Sequence, residues 1–353
     1  MSEMSIAIDC FYSLANTTNQ NLSRKATLHE CRFSKSAGVF LLIIAMISFV
    51  VNIHSLITTR NNHQLLSRDR NLIIGMFISS LCVIIISVPS VVLQCFLCHR
   101  LCSTLICHIE GFNSFFNGCT TMYMLVALSI VRYITTANST LSINFQHKLE
   151  EHALILVVIS FILGAVWTVP PIFGHMSAYV PEGLGFHCGI NWFDSTLPSR
   201  IYFLLLFIGV YFIPLIIIIY VNIYIKQTVY RLTHLHPTIL IELENINHEN
   251  PVRKHISNTL RDKEIQRLHR LYEDRRFVIA TGRSIIIYLI AWTPYSAVAL
   301  AQVFGDNYSL YHPWLMTTCA LLAKLSMIVN PIIYTVILKY QEVPVVTSNE
   351  ELF

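Results

Sequence analysis

One lysine, Lys324, lies near the middle of a long apolar run, residues 315–336. A charged side chain at the centre of a membrane helix costs about 2.5–3.5 kcal/mol on insertion scales, so a lysine at such a depth usually has a function. Its amine can form a Schiff base with an aldehyde. Lys324 is therefore the first candidate for covalent ligand binding. The two motifs that frame it, 32 residues before and six residues after, are Trp292-Thr293-Pro294-Tyr295 and Asn330-Pro331-Ile332-Ile333-Tyr334.

The composition is that of a membrane protein. Of the 353 residues, 54% are hydrophobic and 12% are charged, whereas soluble domains average about 25% charged residues. A helix that crosses a bilayer needs about 20 mostly apolar residues and satisfies its own backbone polar groups. We predict an all-α membrane protein, a bundle of seven transmembrane helices. The predicted spans are 37–59, 71–95, 106–134, 152–175, 200–226, 277–303 and 314–338.

The distribution of Lys and Arg predicts the orientation. These residues concentrate on one side of the predicted spans, most densely in the long loop at about 231–274. Because cytoplasmic loops carry the excess of basic residues, we expect the N-terminus outside and the C-terminus in the cytoplasm. The net charge of +4 then reflects topology, and we expect membrane lipid rather than nucleic acid as a partner.

The chain divides into three parts. We expect an extracellular tail at 1–36, a seven-helix domain at 37–340 and a short cytoplasmic tail at 341–353. Asn16 and Asn21 begin glycosylation sequons in the outer tail. Since that tail has no long apolar core, we expect no signal peptide, and the first span would serve as the insertion signal.

Cysteines and histidines bear on the chemistry. Cys107 and Cys188 both fall on the predicted oxidising side, so we expect a disulfide that pins the loop containing Glu182 over the mouth of the bundle. The sequence does not pair the other cysteines near that side, which are Cys10, Cys31, Cys95, Cys98 and Cys102. The 15 histidines are dispersed, and we predict neither a metal site nor a hydrolytic or redox enzyme.

Two charged residues mark the ends of the third span. Glu110 and Arg132 are 22 residues apart, or about 33 Å along a helix, so they face opposite sides of the membrane. Taken separately, each has an ordinary explanation. Glu110 can be a carboxylate wetted at the interface, and Arg132 can be a side chain that reaches toward the headgroups.

Together these features resemble the opsin family of G-protein-coupled receptors over roughly residues 37–340. Most of the shared motifs occur throughout the rhodopsin-like class, whereas a lysine six residues before Asn330 is specific to opsins. The residues that carry the resemblance are Asn52, Asn71-Leu72, Cys107, Glu110, Arg132-Tyr133, Pro170-Pro171, Pro181-Glu182-Gly183, Cys188-Gly189, Pro214, Trp292-x-Pro294-Tyr295, Lys324 and Asn330-Pro331-x-x-Tyr334.

The resemblance implies a ligand and a pocket. Lys324 would hold cis-retinal covalently as a protonated Schiff base, and light would straighten it. Glu110 matches the primary counterion of vertebrate visual opsins, and Glu182 matches the loop carboxylate that serves other opsins. We expect Glu110 as counterion, with Glu182 assisting it or holding the role alone. Trp292 and Tyr295, which flank Pro294, would contact the chromophore.

The resemblance also implies a signalling function at the plasma membrane, of the photoreceptor type. The expected partner is a heterotrimeric G protein. Arrestin is a weaker expectation, because the short tail has few hydroxyl groups. The residues that would carry coupling and switching are Arg132, Tyr133, Asn330, Pro331 and Tyr334.

Two departures weaken the expectation of signalling more than that of retinal binding. Val131 stands where the family has an acid beside the arginine, and Met76 stands where it has an intramembrane aspartate. Asp274, which precedes Trp292 by 18 residues, is a candidate partner that could restrain Arg132 instead. These changes favour a divergent, invertebrate opsin.

Three other functions stay open. A retinal photoisomerase or chromophore store would use the same pocket without strong coupling. A receptor for a diffusible ligand would carry Lys324 incidentally. A transporter with a lysine at its midplane is disfavoured, because no inverted repeat or pair of broken helices is evident.

Overall fold

The computed structural model describes residues 28–61, 67–98, 104–137, 153–245, 279, 281–305 and 312–341. The predicted sequons at Asn16 and Asn21, the candidate acid Asp274 and the tail beyond residue 341 lie outside these ranges.

Among the described residues, seven helices are long and apolar enough to cross a membrane. Every predicted span coincides with one of them, with ends that differ by a few residues. Outward-facing positions carry large apolar side chains such as Val50, Ile216 and Ile290, as contact with lipid requires. The prediction of a seven-helix membrane bundle is confirmed, while its orientation stays a prediction. Spans one to seven are Cys31–Asn61, Asp69–Leu97, Thr104–Ile134, Leu154–Ile172, Leu197–Thr228, Thr281–Val303 and Pro313–Tyr334.

Spans two and five contain π-helical segments, Val83–Ser87 and Phe207–Phe212. Each is followed by a proline, Pro89 or Pro214, whose missing N–H interrupts the regular helical ladder. The helix of span five continues to Asn245, so the first part of the predicted inner loop is helical. The α-helices are Leu28–Asn61, Ser67–Cys82, Val88–Leu97, Thr104–Ala137, Ala153–Thr168, Leu197–Leu206, Ile213–Asn245, Thr281–Val303, Pro313–Lys324 and Ser326–Gln341.

Span three lies at the centre of the bundle. Its buried side chains Leu125 and Leu128 pack with Leu72 of span two and Tyr334 of span seven in one apolar cluster. Met76 belongs to the same cluster and is 1% exposed. An apolar core therefore occupies the place where the family resemblance led us to expect an aspartate.

A β-hairpin covers one end of the bundle. Strand β1 (Tyr179–Glu182) pairs antiparallel with strand β2 (His187–Ile190). The predicted disulfide between Cys107 and Cys188 is present and ties β2 to span three, with Cα atoms 5.3 Å apart. Burial raises the pKa of the Tyr179 phenol, so it stays a neutral donor to the Thr168 carbonyl.

The tip of the hairpin rests on span seven. Gly183 has a φ of +59°, and a side chain there would overlap Thr317. The Leu184 N–H donates to the Thr317 hydroxyl at 3.0 Å. The hairpin is therefore held against the helix that carries Lys324.

A second disulfide joins Cys31 to Cys98, with Cα atoms 5.2 Å apart. The Ser34 hydroxyl, close by, donates to the Cys95 carbonyl at 3.1 Å. Spans one and two are thus covalently joined at the end of the bundle that the hairpin covers.

Candidate ligand-binding site around Lys324

Lys324 lies at a break in span seven. The helix that begins at Pro313 ends at Lys324, and a new helix begins at Ser326. Between them, the Leu325 N–H donates to the Leu322 carbonyl at 3.0 Å, as in a tightened turn. The lysine side chain lines a cavity beneath the β-hairpin.

The empty space in this cavity, together with the solvent at its mouth, amounts to about 590 Å³. Of the five residues that the resemblance assigned to retinal binding, four meet in its wall: Glu182, Trp292, Tyr295 and Lys324. Glu110 is not among its lining residues. The remaining lining residues are Val83, Gly111, Ser114, Phe115, Asn117, His187, Cys188, Gly189, Ile190, Ala320, Ala323, Ser326 and Met327.

A second cavity, of about 520 Å³, lies between spans three, five and six. Phe115, Trp292 and Tyr295 line both cavities. The other walls of the second cavity are mostly apolar and include Met122, Leu206 and other core side chains. A ligand attached at Lys324 and extending past these aromatic rings therefore meets an elongated, largely apolar space.

The Glu182 carboxylate is buried in the cavity wall, and its residue is 8% exposed. One oxygen, Oε1, accepts hydrogen bonds from Tyr295 Oη at 2.9 Å and Trp192 Nε1 at 3.2 Å. The other, Oε2, lies 3.2 Å from His187 Nε2. The two hydrogen bonds to Oε1 offset part of the cost of burying this carboxylate.

The Glu110 carboxylate is also buried, at 2% exposure, but it faces span two. Its Oε1 accepts hydrogen bonds from Ser90 Oγ at 2.5 Å and Gln94 Nε2 at 2.7 Å. A second carboxylate thus lies beside the site, outside the wall of the cavity.

Both carboxylates lie within electrostatic reach of the Lys324 amine. Within the described part of the chain, no ion pair within 4.0 Å joins Lys324 to either of them. The expectation that Glu110 is the main counterion therefore stays a prediction, and the cavity geometry favours Glu182.

On the far side of Lys324, the Asn330-to-Tyr334 motif packs into the bundle. Pro331 has no N–H, so it leaves the carbonyl of Met327, four residues earlier, without its usual helical donor. Asn52 Nδ2 of span one donates to that carbonyl at 2.9 Å. Asn330 is buried and Tyr334 fully so. Asn52 and Pro331, both singled out from the sequence, thus act together at one point.

Arg132 has a buried acidic partner that the sequence analysis missed. Its Nη2 lies 2.7 Å from Asp69 Oδ2, and the two residues are 5% and 0% exposed. Val131, in the position of the expected acid, is buried in the core. The next residue, Tyr133, packs against Tyr224 with ring centroids 4.8 Å apart. Asp69 of span two therefore supplies the negative charge that Val131 lacks.

Replacing Asp69 by asparagine is expected to destabilise the protein, because Arg132 would keep its buried charge without the paired carboxylate. Removing one partner of a buried ion pair costs about 3–5 kcal/mol, whereas replacing both by apolar residues is often neutral. The double variant Asp69→Leu/Arg132→Met should therefore recover stability relative to Asp69→Asn. Thermal denaturation in detergent measures both. An Asp69→Asn protein that melts with the wild type would argue against a stabilising role for the pair.

Two further site residues were missed because they depend on the fold. Trp192 and His187 reach Glu182 only through the hairpin, in which Glu182 pairs with His187. An alternation of apolar and polar residues around Glu182 would have predicted a strand there. Strands of four residues are too short for that alternation to be recognised.

Comparison with known proteins places these observations in context. The sequence model described as "7 transmembrane receptor (rhodopsin family)" matches residues 51–334. Melanopsin-A of Danio rerio is 32% identical over 230 residues, which are 65% of this chain and 35% of that protein. Melanopsin-B of Xenopus laevis is 30% identical over 310 residues, 86% of this chain and 53% of that protein. The chain thus spans about half or less of the length of these relatives.

Among solved structures, squid rhodopsin superposes with a TM-score of 0.72 at 21% identity. The likeness covers 87% of this chain and 82% of the squid chain. It establishes a common fold.

Proposed function

We propose, because this chain belongs to the rhodopsin family of seven-transmembrane receptors, that it is a light-sensing receptor that binds retinal covalently through Lys324. Within the family it groups with the animal opsins. It is a multi-pass protein of the plasma membrane, and its relatives are receptors rather than enzymes. The observation that carries the proposal is the lysine amine in a buried cavity that also contains the Glu182 carboxylate.

The residues around Lys324 fit retinal. A polyene aldehyde needs an amine at one end, a long apolar space and a negative charge near the nitrogen. Lys324 provides the amine, the two cavities that share Phe115, Trp292 and Tyr295 provide the space, and Glu182 provides the charge. When bound, retinal in its cis form supplies the absorption of light and a change of shape. The side chains of this chain hold the charge, respond to the change of shape and couple it to a partner protein.

The first task of those side chains is to hold charge. A positive nitrogen buried at Lys324 requires a negative partner, since burial alone disfavours the charged form. Tyr295 and Trp192 keep Glu182 oriented by donating to the same oxygen. Ser90 and Gln94 hold Glu110 as a second negative charge. We propose Glu182 as the main counterion and Glu110 as its support.

The second task is to convert a change in ligand shape into a change in helix positions. Trp292 lines the cavity and donates from Nε1 to Ser326 Oγ at 3.2 Å, two residues from Lys324. Pro294 makes span six a natural place to bend. A ligand that fits one conformation better than the other shifts the equilibrium between them. We propose that spans six and seven move at this contact.

The third task is coupling to a heterotrimeric G protein, with Arg132 and Tyr133 at the end of the bundle remote from the hairpin. The Arg132–Asp69 pair would hold the resting conformation, in the role for which Asp274 was considered. Arrestin binding stays a weaker expectation from the sequence.

The test is a dark absorption spectrum of the purified protein after incubation with cis-retinal. We expect a visible band and, on illumination, nucleotide exchange on a purified heterotrimeric G protein. A folded protein without bound retinal would contradict the proposal and favour a receptor for a diffusible ligand. A visible pigment without light-dependent exchange would contradict the signalling part and favour a photoisomerase or retinal store.

A further inference from the structure

The histidine of the hairpin, His187, contacts the acid that faces Lys324. Its Nε2 lies 3.2 Å from Glu182 Oε2, and the two side chains are only 10% and 7% exposed. The contact is built into the fold, because Glu182 and His187 are the last paired residues of β1 and β2. Neither the sequence motifs nor the proposed function assigns a role to this histidine.

His187 lies in the walls of two cavities. One is the cavity that contains Glu182 and Lys324. The other, of about 360 Å³, lies between spans one, two and seven and is also lined by Lys324 and by Cys95. Any charge on the imidazole therefore acts on the space where the lysine nitrogen lies.

Of the described side chains that contact the Glu182 carboxylate, His187 is the one with an imidazole, a group that exists in a neutral and a positively charged form. Trp192 has no ionisable group, and a phenol such as that of Tyr295 ordinarily loses its proton only near pH 10. Histidine is the side chain whose charge ordinarily changes between pH 5 and pH 8.

The other charged or titratable groups near this pair lie on separate elements. Span seven contributes Lys324 and the Cys319 thiol, span six contributes Tyr295, and span two contributes the Cys95 thiol. Span three contributes Glu110, whose carboxylate accepts hydrogen bonds from Ser90 and Gln94 of span two. A proton on His187 therefore changes the charge balance at its immediate neighbour, Glu182.

We propose that His187 is a proton-controlled partner of Glu182 that sets how much negative charge faces Lys324. With a neutral imidazole, the full charge of Glu182 acts on the lysine nitrogen. With an imidazolium, the pair is neutral as a whole and its field at Lys324 falls. The inference deepens the proposed function and rests on it, because its main readout is the spectrum of the retinal-bound protein.

The sign of the effect follows from the charge at the nitrogen. A strong negative charge beside a protonated Schiff base keeps the positive charge at that end, whereas a weaker one lets it spread along the conjugated chain. Spreading lowers the excitation energy. Acidification should therefore move the visible band to longer wavelength, and the shift should titrate as a single proton.

The experiment uses full-length protein bound to cis-retinal, with dark spectra recorded in steps between about pH 8 and pH 5. We expect a reversible shift to longer wavelength in the wild type. His187→Gln should hold the band at the alkaline position throughout, and His187→Arg, with its permanent charge, should hold it at the acid position. His175→Gln, which changes an exposed histidine after span four, is the matched control and should titrate like the wild type.

Several results would overturn the inference. A shift that persists unchanged in His187→Gln would assign the titration to another group, such as Glu110. A wild-type band that does not move, or that moves to shorter wavelength on acidification, would contradict the mechanism while leaving retinal binding intact. A wild-type protein that binds no retinal would remove the proposed function and this inference together. If His187→Gln fails to fold, His187→Asn offers a second uncharged side chain for the same comparison.

Discussion

Lys324→Ala protein is expected to form no covalent adduct with retinal and to show no visible band. Among the described lysines, Lys324 is the one that lines the cavity beside Glu182, and alanine offers no nucleophile there. The expected loss is complete. Reduction with borohydride, which fixes a Schiff base as a stable amine, followed by mass spectrometry of peptides, measures it directly.

Two control variants distinguish the loss of the reactive amine from a loss of folded protein. Alanine at position 324 also removes a buried positive charge and leaves Glu182 and Glu110 without it, which can destabilise the bundle. Lys324→Arg keeps that charge but does not form the adduct, so a folded but colourless Lys324→Arg protein is the decisive result. Lys226→Ala, at an exposed position of span five, should retain a full visible band. A visible band in Lys324→Ala would place the chromophore on another residue.

Glu182→Gln is expected to have the second largest effect. Glu182 lines the same cavity as Lys324, whereas Glu110 does not and is bonded to Ser90 and Gln94. An opposite charge at close range shifts a titration by about 1–3 pH units. The pH at which the visible band gives way to a near-ultraviolet band should therefore fall by about 1–3 units in Glu182→Gln. A pH titration of the dark spectrum measures it.

Glu110→Gln is the matched comparison, since it removes the other carboxylate by the same substitution. We expect a smaller change, because Glu110 is bonded to Ser90 and Gln94 against span two. The reverse order, with a near-ultraviolet pigment in Glu110→Gln and a visible one in Glu182→Gln, would return the main role to Glu110, as the family resemblance first suggested.

The features of this molecule that the sequence predicted are those that depend on residues close together in the chain. Seven apolar runs predict seven spans because a bilayer sets the length of a helix. Lys324 is visible because a charge inside such a run is rare. The Cys107–Cys188 bond followed from the side of the membrane on which both residues were expected, together with the resemblance.

The parts that the sequence left open depend on distant pairs. Asp69 meets Arg132 across 63 positions, and the nearer clue, Val131, suggested only that an acid was missing. Cys98 joins Cys31 over a separation of 67 residues. From the sequence alone, several other cysteines on the predicted outer side were equally good partners. Which of two acids lies in the cavity wall is likewise decided by packing, which composition and spacing do not encode.

The two disulfides between described residues also close rings in the chain. Cys31–Cys98 closes a ring that contains all of spans one and two, and Cys107–Cys188 closes a second ring that contains most of span three and all of span four. The rings follow one another without overlap. A single cut of the backbone inside either ring therefore releases no fragment while the bonds are oxidised, so the chain stays one molecule. For these four spans, connectivity does not rest on the peptide backbone alone.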